Sequence, residues 1–230
     1  MPVFELSQNL VFPNPDLAEE GLIAIGGDLQ PERLLLAYEQ GIFPWPIDDE
    51  NLLWWSPDIR FIIHPHQFKT TKTLRSLYRK KFFDVKFDTA FEEVIRKCQT
   101  IYRPEQEGTW ITNEIADAYI NLHKLGFAHS VESWYKGKLV GGLYGISLGK
   151  AFFGESMFHL MSDASKIALY ALVEQLSAWD FDFIDAQLHT EHLSRMGATE
   201  VLRTDFLEML AIALRYPTKR GSWENITKLK

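Results

Sequence analysis

Cysteine is almost absent from this chain of 230 residues, which contains Cys98 alone. A single thiol excludes an internal disulfide framework and suits a reducing compartment, so we expect a cytoplasmic protein. Long apolar runs are missing as well, since none approaches the ~20 residues that span a bilayer. The N-terminus shows no basic segment followed by an apolar one, so we expect neither a secretory signal nor a membrane partner.

Positive charge is the minority, with 24 Lys and Arg against 31 Asp and Glu and a formal net charge of −7. This balance argues against a generic nucleic-acid coat protein but leaves room for a local basic patch. Such a patch runs without an acid through Lys69, Lys72, Arg75, Arg79, Lys80 and Lys81. Three of its members recur at helical spacing and would share one side of a helix. The patch is therefore either a solvated helix face or a surface for a polyanion.

Cofactor and metal motifs are also lacking. Gly26-Gly27-Asp28 is not a dinucleotide fingerprint, and no P-loop is present. His189 and His192 are three residues apart but do not form the His-Glu-x-x-His pattern of zinc enzymes. Cys98 lies on an apolar helix face, which is typical of a core residue. We therefore expect no cofactor and no metal.

The patterns predict a mixed α/β (α+β) protein with a small N-terminal domain, residues 1–62, and a larger domain, residues 63–230. The first part is rich in Pro, Trp and turn signals. A helix is predicted over Asp88–Cys98, with Thr89 and Glu92 as a capping box. Further along, Ser130–Trp134, Leu139–Ser147 and Ala151–Phe158 read as an antiparallel meander. A helix to about Ser177 and a strand over Phe181–Leu188 follow, which gives a mixed sheet covered by helices.

The strand around Glu155 carries one carboxylate among large apolar residues, Phe152, Phe153, Met157 and Phe158. Strand alternation places Phe153, Glu155 and Met157 on one face. A buried carboxylate is costly unless it is hydrogen-bonded or used, so this face suits an apolar pocket with one polar anchor. The alternative is an edge strand on which Glu155 faces solvent.

A second polar cluster ends the apolar strand that begins at Phe181. Alternation puts Phe181, Phe183, Asp185 and Gln187 on one face. In this arrangement Asp185 would accept a hydrogen bond from the Gln187 amide, whose carbonyl oxygen could then orient an attacking amine. The alternative is a strand end that reaches solvent.

Several separate motifs, in order along most of the chain, make it resemble the leucyl/phenylalanyl-tRNA–protein transferases. These motifs are Gly26-Gly27-Asp28-Leu29, Gly41-Ile42-Phe43-Pro44-Trp45, Trp54-Trp55-Ser56-Pro57, Gly108-Thr109-Trp110-Ile111-Thr112, Phe153-Gly154-Glu155-Ser156-Met157-Phe158, Ala164-Ser165-Lys166 and Asp185-Ala186-Gln187. The resemblance implies a small N-terminal domain followed by a GNAT-like acyltransferase domain. It also implies transfer of Leu, Phe or Met from aminoacyl-tRNA to proteins that begin with Arg or Lys. The enzyme would act as a monomer, and its products would be marked for degradation.

The resemblance further assigns roles to matching residues. Asp185 and Gln187 would be the catalytic pair, with Asp185 polarising Gln187, and Glu155 would help to position the reacting groups. Trp45 and Trp110 would lie near the 3′ adenosine, where base stacking contributes roughly 1–3 kcal/mol. The pocket for the amino-acid side chain would include Leu143, Phe153, Ser156 and Met157. The basic residues from Lys69 to Lys81 would meet acceptor-stem phosphates.

Two other functions stay open at this point. One is a GNAT-type acyltransferase that uses acetyl-CoA or builds cell-wall peptides from aminoacyl-tRNA. The turn His159–Ser165 has no Gly and contains Asp163, which speaks against a cradle for the CoA diphosphate. The other is an RNA-binding module whose basic helix grips phosphates, and it leaves Glu155, Asp185 and Gln187 without a purpose.

Overall fold

A computed structural model describes residues 3–46, 51–102 and 109–225. The first residue of the Gly108–Thr112 motif lies outside these ranges. The helices are α1 (Pro31–Glu39), α2 (Lys72–Arg79), α3 (Phe91–Thr100), α4 (Asn113–Lys124), α5 (Ala164–Ala178), α6 (Glu191–Arg195) and α7 (Arg203–Ala213). The strands are β1 (Phe4–Leu6), β2 (Leu22–Gly26), β3 (Phe43–Pro44), β4 (Leu53–Trp55), β5 (Ile59–Ile63), β6 (Asp84–Phe87), β7 (Ala128–Tyr135), β8 (Lys138–Leu148), β9 (Ala151–His159), β10 (Phe183–Asp185) and β11 (Thr199–Leu202).

The strands form two mixed sheets, a small one and a large one. The small sheet has the order β1-β2-β4-β3, and the large one has the order β11-β5-β10-β9-β8-β7-β6. In the large sheet β6 to β9 pair antiparallel, whereas β10 pairs parallel to β9 after the crossover helix α5. The predicted mixed sheet with flanking helices behind a small N-terminal region is confirmed.

Apolar side chains cover both faces of the large sheet. One face packs with α3, α4 and α7 and also with α1, so that Leu34 and Tyr38 share a core with Tyr119. The other face packs with α5 and α2. The N-terminal region therefore contributes to the same core as the larger sheet, which brings α1 close to α4.

The domain boundary at residue 62 stays a prediction. It falls within β5, whose residues pair with β10 and β11 of the large sheet. This pairing favours placing all of β5 in the second unit. In the part of the chain that the structure describes, no helix is long and apolar enough to cross a bilayer.

The predicted capping box of α3 is wrong. The helix begins at Phe91 without a side-chain cap, and the Thr89 hydroxyl donates instead to Glu132 Oε2 at 2.8 Å. The reason is the preceding residue, because Asp88 has φ +55° and its carboxylate accepts from the Ser130 N–H at 2.8 Å. The segment before α3 is thus bound to β7. The predicted apolar face of the helix is buried as expected.

The strand predicted over Phe181–Leu188 is shorter than expected and comprises β10 alone. Phe181 packs on the α5 side and Phe183 on the other side of the sheet. At the other end Gln187 has φ +58°, so the chain leaves the extended conformation there. The prediction that Phe181, Phe183, Asp185 and Gln187 share a face is therefore wrong at both ends.

A β-bulge interrupts β9 at Gly154 and Glu155. The register with β8 shifts there, because Ser156 pairs with Tyr144 and Gly154 pairs with Gly145. A Cβ at Gly145 would lie 2.1 Å from the Phe153 carbonyl oxygen, so only glycine fits opposite the bulge. Beyond the extra residue the alternation of faces is reversed. Phe153 accordingly packs on the α3 and α4 side and Met157 on the α5 side, and the prediction that they share a face is wrong.

Candidate active site

A cavity of about 390 Å³ opens between the large sheet and α5. Its inner wall is apolar and comprises Ile63, Leu143, Phe152, Met157, Leu169, Leu172, Ile184 and Leu193. Polar and aromatic groups complete the lining, among them Trp45, Trp110, Glu155, Ser156, Gln187 and His192. An apolar chamber with a few convergent polar groups is the usual form of a small-ligand site.

Glu155 reaches this cavity because the bulge turns it out of the sheet alternation. Its Oε1 accepts from the Tyr38 hydroxyl at 2.8 Å and its Oε2 accepts from the Tyr119 hydroxyl at 3.2 Å. Burial raises the pKa of Glu155 from 4.5 to about 7, and the Asp185 charge adds to the rise against the lowering effect of the two tyrosines. Glu155 can therefore exchange a proton near neutral pH.

Tyr38 and Tyr119 are buried, and their hydroxyl oxygens also lie close to each other. Burial, followed by the Glu155 charge, raises the pKa of both phenols well above the ordinary value. Both phenols therefore stay protonated and serve as donors to Glu155. Tyr38 comes from α1 and Tyr119 from α4, so the two units of the chain hold this carboxylate together.

Asp185 lies behind the cavity wall in a fully buried ion pair with Arg60. The Arg60 Nε donates to both carboxylate oxygens at 2.9 and 3.1 Å, and its terminal nitrogen donates to Oδ2 at 2.7 Å. The guanidinium also donates to the Gly41 carbonyl oxygen at 2.8 Å. It lies between the rings of Phe43 and Phe206, 4.8 and 4.4 Å from their centroids. The site thus neutralises the Asp185 charge before any substrate enters.

The predicted hydrogen bond from the Gln187 side-chain amide to Asp185 is wrong. Asp185 Oδ1 accepts instead from the Gln187 backbone N–H at 2.9 Å. The Gln187 Nε2 is directed to Glu155 Oε1 at 3.4 Å. This difference follows from the positive φ of Gln187, which turns its side chain toward the cavity. Asp185 therefore acts on the conformation of Gln187 rather than on its amide.

Trp45 and Trp110 meet at one side of the cavity, with ring centroids 5.7 Å apart and planes inclined by 30°. The Trp45 backbone is fixed because its N–H donates to Leu53 and its carbonyl oxygen accepts from the Trp55 indole. Leu143, Ser156 and Met157 also line the cavity. Phe153 does not, since its ring packs on Tyr38 at a centroid distance of 5.0 Å. Its neighbour Phe152 lines the cavity instead, because the bulge determines which residues of β9 face α5.

The basic patch lies on and beside α2, and all six of its cations are at least partly exposed. Lys72, Arg75 and Arg79 line one shallow surface depression together with Lys80, as their spacing predicted. The opposite side of α2 is anchored by Leu74 and by Tyr78, whose ring meets Tyr170 of α5 at 4.9 Å. The helix that carries the patch therefore packs on α5, which also forms a wall of the cavity.

Sequence reasoning missed three residues at this site, namely Arg60, Tyr38 and Tyr119. Arg60 could have been found, since it is a charge inside the apolar run Ile59-Arg60-Phe61-Ile62-Ile63, the same signal that singled out Glu155. The tyrosines lie on apolar helix faces and carry no such signal. Their hydroxyls point to Glu155 only because α1 and α4 pack side by side.

The turn before α5 offers no glycine cradle. Asp163 has φ +66° and caps nothing with its side chain, and its Oδ1 accepts from Lys166 Nζ at 2.7 Å. Among the residues that the structure describes, no group of three His, Cys, Asp or Glu side chains is placed to hold a metal ion.

Comparisons with known proteins match nearly the whole chain. Residues 62–211 match the family model described as Leucyl/phenylalanyl-tRNA protein transferase, and residues 27–58 match the model of its N-terminal domain. A curated leucyl/phenylalanyl-tRNA–protein transferase of Anaeromyxobacter sp. (strain Fw109-5) is 52% identical over 97% of this chain and 96% of its own length. That of Myxococcus xanthus (strain DK1622) is 50% identical over 97% of both chains. A solved structure of a conserved protein of unknown function from Staphylococcus epidermidis aligns with a TM-score of 0.44 and 12% identity, over 79% of this chain and 68% of its own.

Proposed function

The chain belongs to the leucyl/phenylalanyl-tRNA–protein transferase family, and from that premise we propose which donor and acceptor it joins and how. It is an aminoacyltransferase that uses aminoacyl-tRNA and protein substrates. The proposed donors are Leu-, Phe- and also Met-tRNA, and the proposed acceptors are proteins that begin with Arg or Lys. The new peptide bond would create a degradation signal. The proposed compartment is the cytoplasm, since charged tRNA is a cytoplasmic substrate. The proposed working form is a monomer.

One observation carries this proposal, namely an apolar cavity with Glu155 and Gln187 at its polar side. Its aliphatic and aromatic inner wall suits the side chain of Leu, Phe or Met, because such a wall selects only by shape and apolarity. The neighbouring pair Trp45 and Trp110 offers flat surfaces for the terminal adenine. Among the described residues that line the cavity, Glu155 is the one acid, which favours a positively charged or proton-donating acceptor.

The proposed reaction joins the acceptor α-amine to the carbonyl carbon of the aminoacyl ester. An α-amino group has an ordinary pKa of about 8, so its charged form must first lose one proton to solvent to become a nucleophile. In the proposed step Glu155 takes a proton from the attacking amine as the C–N bond forms. The bond from the carbonyl carbon to the ribose oxygen then breaks, and that oxygen receives the proton. The amide carbonyl of Gln187 orients the amine.

The proposed part of Asp185 is to position Gln187. Its carboxylate is saturated by Arg60 and by the Gln187 N–H, which holds the backbone of Gln187 in the left-handed conformation. This conformation directs the amide toward Glu155. The polarising role that the family resemblance implies for Asp185 is thus replaced by a structural one.

A transfer assay with a panel of acceptors tests the proposed function. Peptides with N-terminal Arg or Lys should accept Leu from charged tRNA, whereas otherwise identical peptides with N-terminal Glu or Gly should not. Equal transfer to all four peptides would contradict the acceptor assignment. A titration with CoA, for which we expect no binding, separates this proposal from an acetyl-CoA-dependent acyltransferase.

The substitution Gln187→Ala should lower kcat by about 10²-fold, the lower range for a group that orients a reactant or assists proton transfer. The KM for aminoacyl-tRNA should change little, because Gln187 faces the acceptor amine rather than the tRNA. Steady-state transfer kinetics and filter binding of charged tRNA measure the two effects. An unchanged kcat would exclude Gln187 from the chemistry.

Neutralising the basic patch should weaken tRNA binding. In a Lys72→Ala/Arg75→Ala/Arg79→Ala variant, three fewer phosphate contacts should reduce the slope of log affinity against log salt by about 2 to 3. Lys97→Ala/Lys124→Ala is the matched control, because these cations lie on α3 and α4 at the opposite face of the sheet. If both variants bind tRNA as the wild type does, the patch is only a solvated surface.

A further inference from the structure

The C-terminal segment Thr218–Glu224, here called the strap, has no regular secondary structure but is bound along its length. The Thr218 hydroxyl accepts from the Gly149 N–H at 2.9 Å in the β8–β9 turn. Gly221 donates to the Gly126 carbonyl oxygen at 3.0 Å between α4 and β7. The backbone N–H of Trp223 donates to Asp88 Oδ2 at 2.7 Å. The strap thus runs over two turns and places the Trp223 side chain inside the protein.

Trp223 is only 3% exposed and its ring is enclosed by three aromatic groups. It stacks on His129 with a centroid distance of 3.7 Å and an angle of 6°. The edge contact with Trp179 is at 5.0 Å, and the contact with Phe152 is at 6.0 Å and 38°. His129 is itself held by Asp88, whose Oδ2 lies 2.8 Å from the His129 Nδ1. Asp88 therefore fixes both partners of the stack.

Phe152 connects the strap to the cavity. It lines the cavity, whereas Trp223 does not, so the Phe152 side chain lies between Trp223 and the space proposed for the donor side chain. On another side the ring rests over Gly145, where a Cβ would lie 2.5 Å from the nearest ring carbon. The sheet and Trp223 lie behind the Phe152 ring, so the ring can move only into the cavity. If Trp223 is removed, the ring can also move away from the cavity.

We infer that the strap, through Trp223, sets the depth of the donor side-chain pocket and thereby its selectivity. Trp223 is a positioning residue, because it acts on the substrate through Phe152 alone. Removal of the indole ring would let Phe152 shift outward and would deepen the pocket. This inference rests on the proposed function, which places the donor side chain in this cavity.

The experiment compares transfer of Leu with transfer of a bulkier residue, 2-naphthylalanine, each charged on the same tRNA. In Trp223→Ala the ratio of kcat/KM for Leu over naphthylalanine should fall at least tenfold, since one methylene more or less in an apolar pocket alters discrimination by about 10 to 200-fold. The KM for the Leu donor should rise more than its kcat falls. Trp223→Phe should keep the wild-type ratio, because a ring still supports Phe152.

Trp179→Ala is the matched control, since it removes an aromatic neighbour of Trp223 that does not line the cavity. It should leave the ratio unchanged. If Trp223→Ala does not fold, Trp223→Leu preserves most of the apolar contact and should still shift the ratio toward naphthylalanine. A wild-type ratio in every folded Trp223 variant overturns the inference.

Leu169→Ala separates the two proposals, because it widens the cavity wall directly and should shift the ratio even if the strap has no influence. No shift in Leu169→Ala would contradict the placement of the donor side chain itself.

Discussion

Substitution of Glu155 by Gln should lower transfer at pH 8 by about 10² to 10⁴-fold, the range for loss of a general base. The isosteric amide can keep the contacts with Tyr38 and Tyr119 but cannot take a proton from the acceptor amine. Single-turnover transfer from Leu-tRNA to a peptide with N-terminal Arg measures the effect. Glu200→Gln, an exposed acid on the edge strand β11, is the matched control and should react at the wild-type rate.

The pH dependence of the transfer rate should also show that Glu155 acts as the base. Because burial raises the pKa of Glu155 to about 7, the wild-type rate should rise as the pH increases through 7 and the carboxylate forms. Glu155→Gln should lack this inflection and keep only the rise near pH 8 that comes from deprotonation of the acceptor α-amine. A wild-type profile that is flat between pH 6 and 8 would exclude Glu155 as the base.

The same substitution should stabilise the protein. The folded-state pKa of Glu155 lies above its ordinary value of 4.5, so the folded state holds the proton more tightly and stability falls as the pH rises from 4.5 to about 7. The difference corresponds to about 3 kcal/mol at pH 8, and an uncharged amide in place of the carboxylate should recover much of it. Urea denaturation at pH 8 and pH 4.5 should show a gain at the higher pH only. A loss of stability at pH 8 would contradict this reasoning.

Substitution of Arg60 by Met should destabilise the fold by about 3 to 5 kcal/mol, because it leaves the Asp185 charge buried and unpaired. The side chains of Arg60 and Asp185 are 1% and 0% exposed, so solvent does not screen this charge. Transfer should also fall, since Asp185 would no longer be held in place to bind the Gln187 N–H. Urea denaturation and the transfer assay measure the two effects.

A double-mutant cycle makes this prediction specific. Arg60→Met/Asp185→Asn should recover a large part of the lost stability, since it removes the uncompensated charge. Arg96→Met is the matched control, because its partner Asp117 is 68% exposed, and an exposed pair contributes at most about 1 kcal/mol. If Arg60→Met costs no more than Arg96→Met, the buried pair does not hold the site together.

The sequence predicted the large features of the fold because they follow from patterns within single segments. The meander of β7, β8 and β9 was visible from alternation and turn residues. The same reasoning singled out Glu155 and Gln187 as candidate site residues, whereas Trp45 was assigned to the site only by the family resemblance. What it missed depends on distant parts of the chain. The bulge at Gly154 and Glu155 is invisible to a strict period of two, so Phe153 was assigned to the cavity in place of Phe152.

The partner of Asp185 was mistaken for a related reason. Two residues at alternate positions of one strand suggested a direct contact, but Gln187 lies past the end of β10 with a positive φ. The true partner, Arg60, is on β5, 125 residues away in the chain. Only the antiparallel pairing of β5 with β10 brings the two charges together. Pairings of this kind are set by the whole sheet and not by local sequence.

The pKa of Glu155 depends on how the N-terminal region is aligned with the rest of the protein, because two tyrosines from different parts of the chain hold its carboxyl group. Tyr38 is carried by α1 and Tyr119 by α4, and each hydroxyl lowers the pKa of the carboxyl. A displacement of α1 that left Glu155 buried would remove the Tyr38 donor and raise this pKa further. The packing of α1 against α4 is therefore part of what sets the basicity of Glu155.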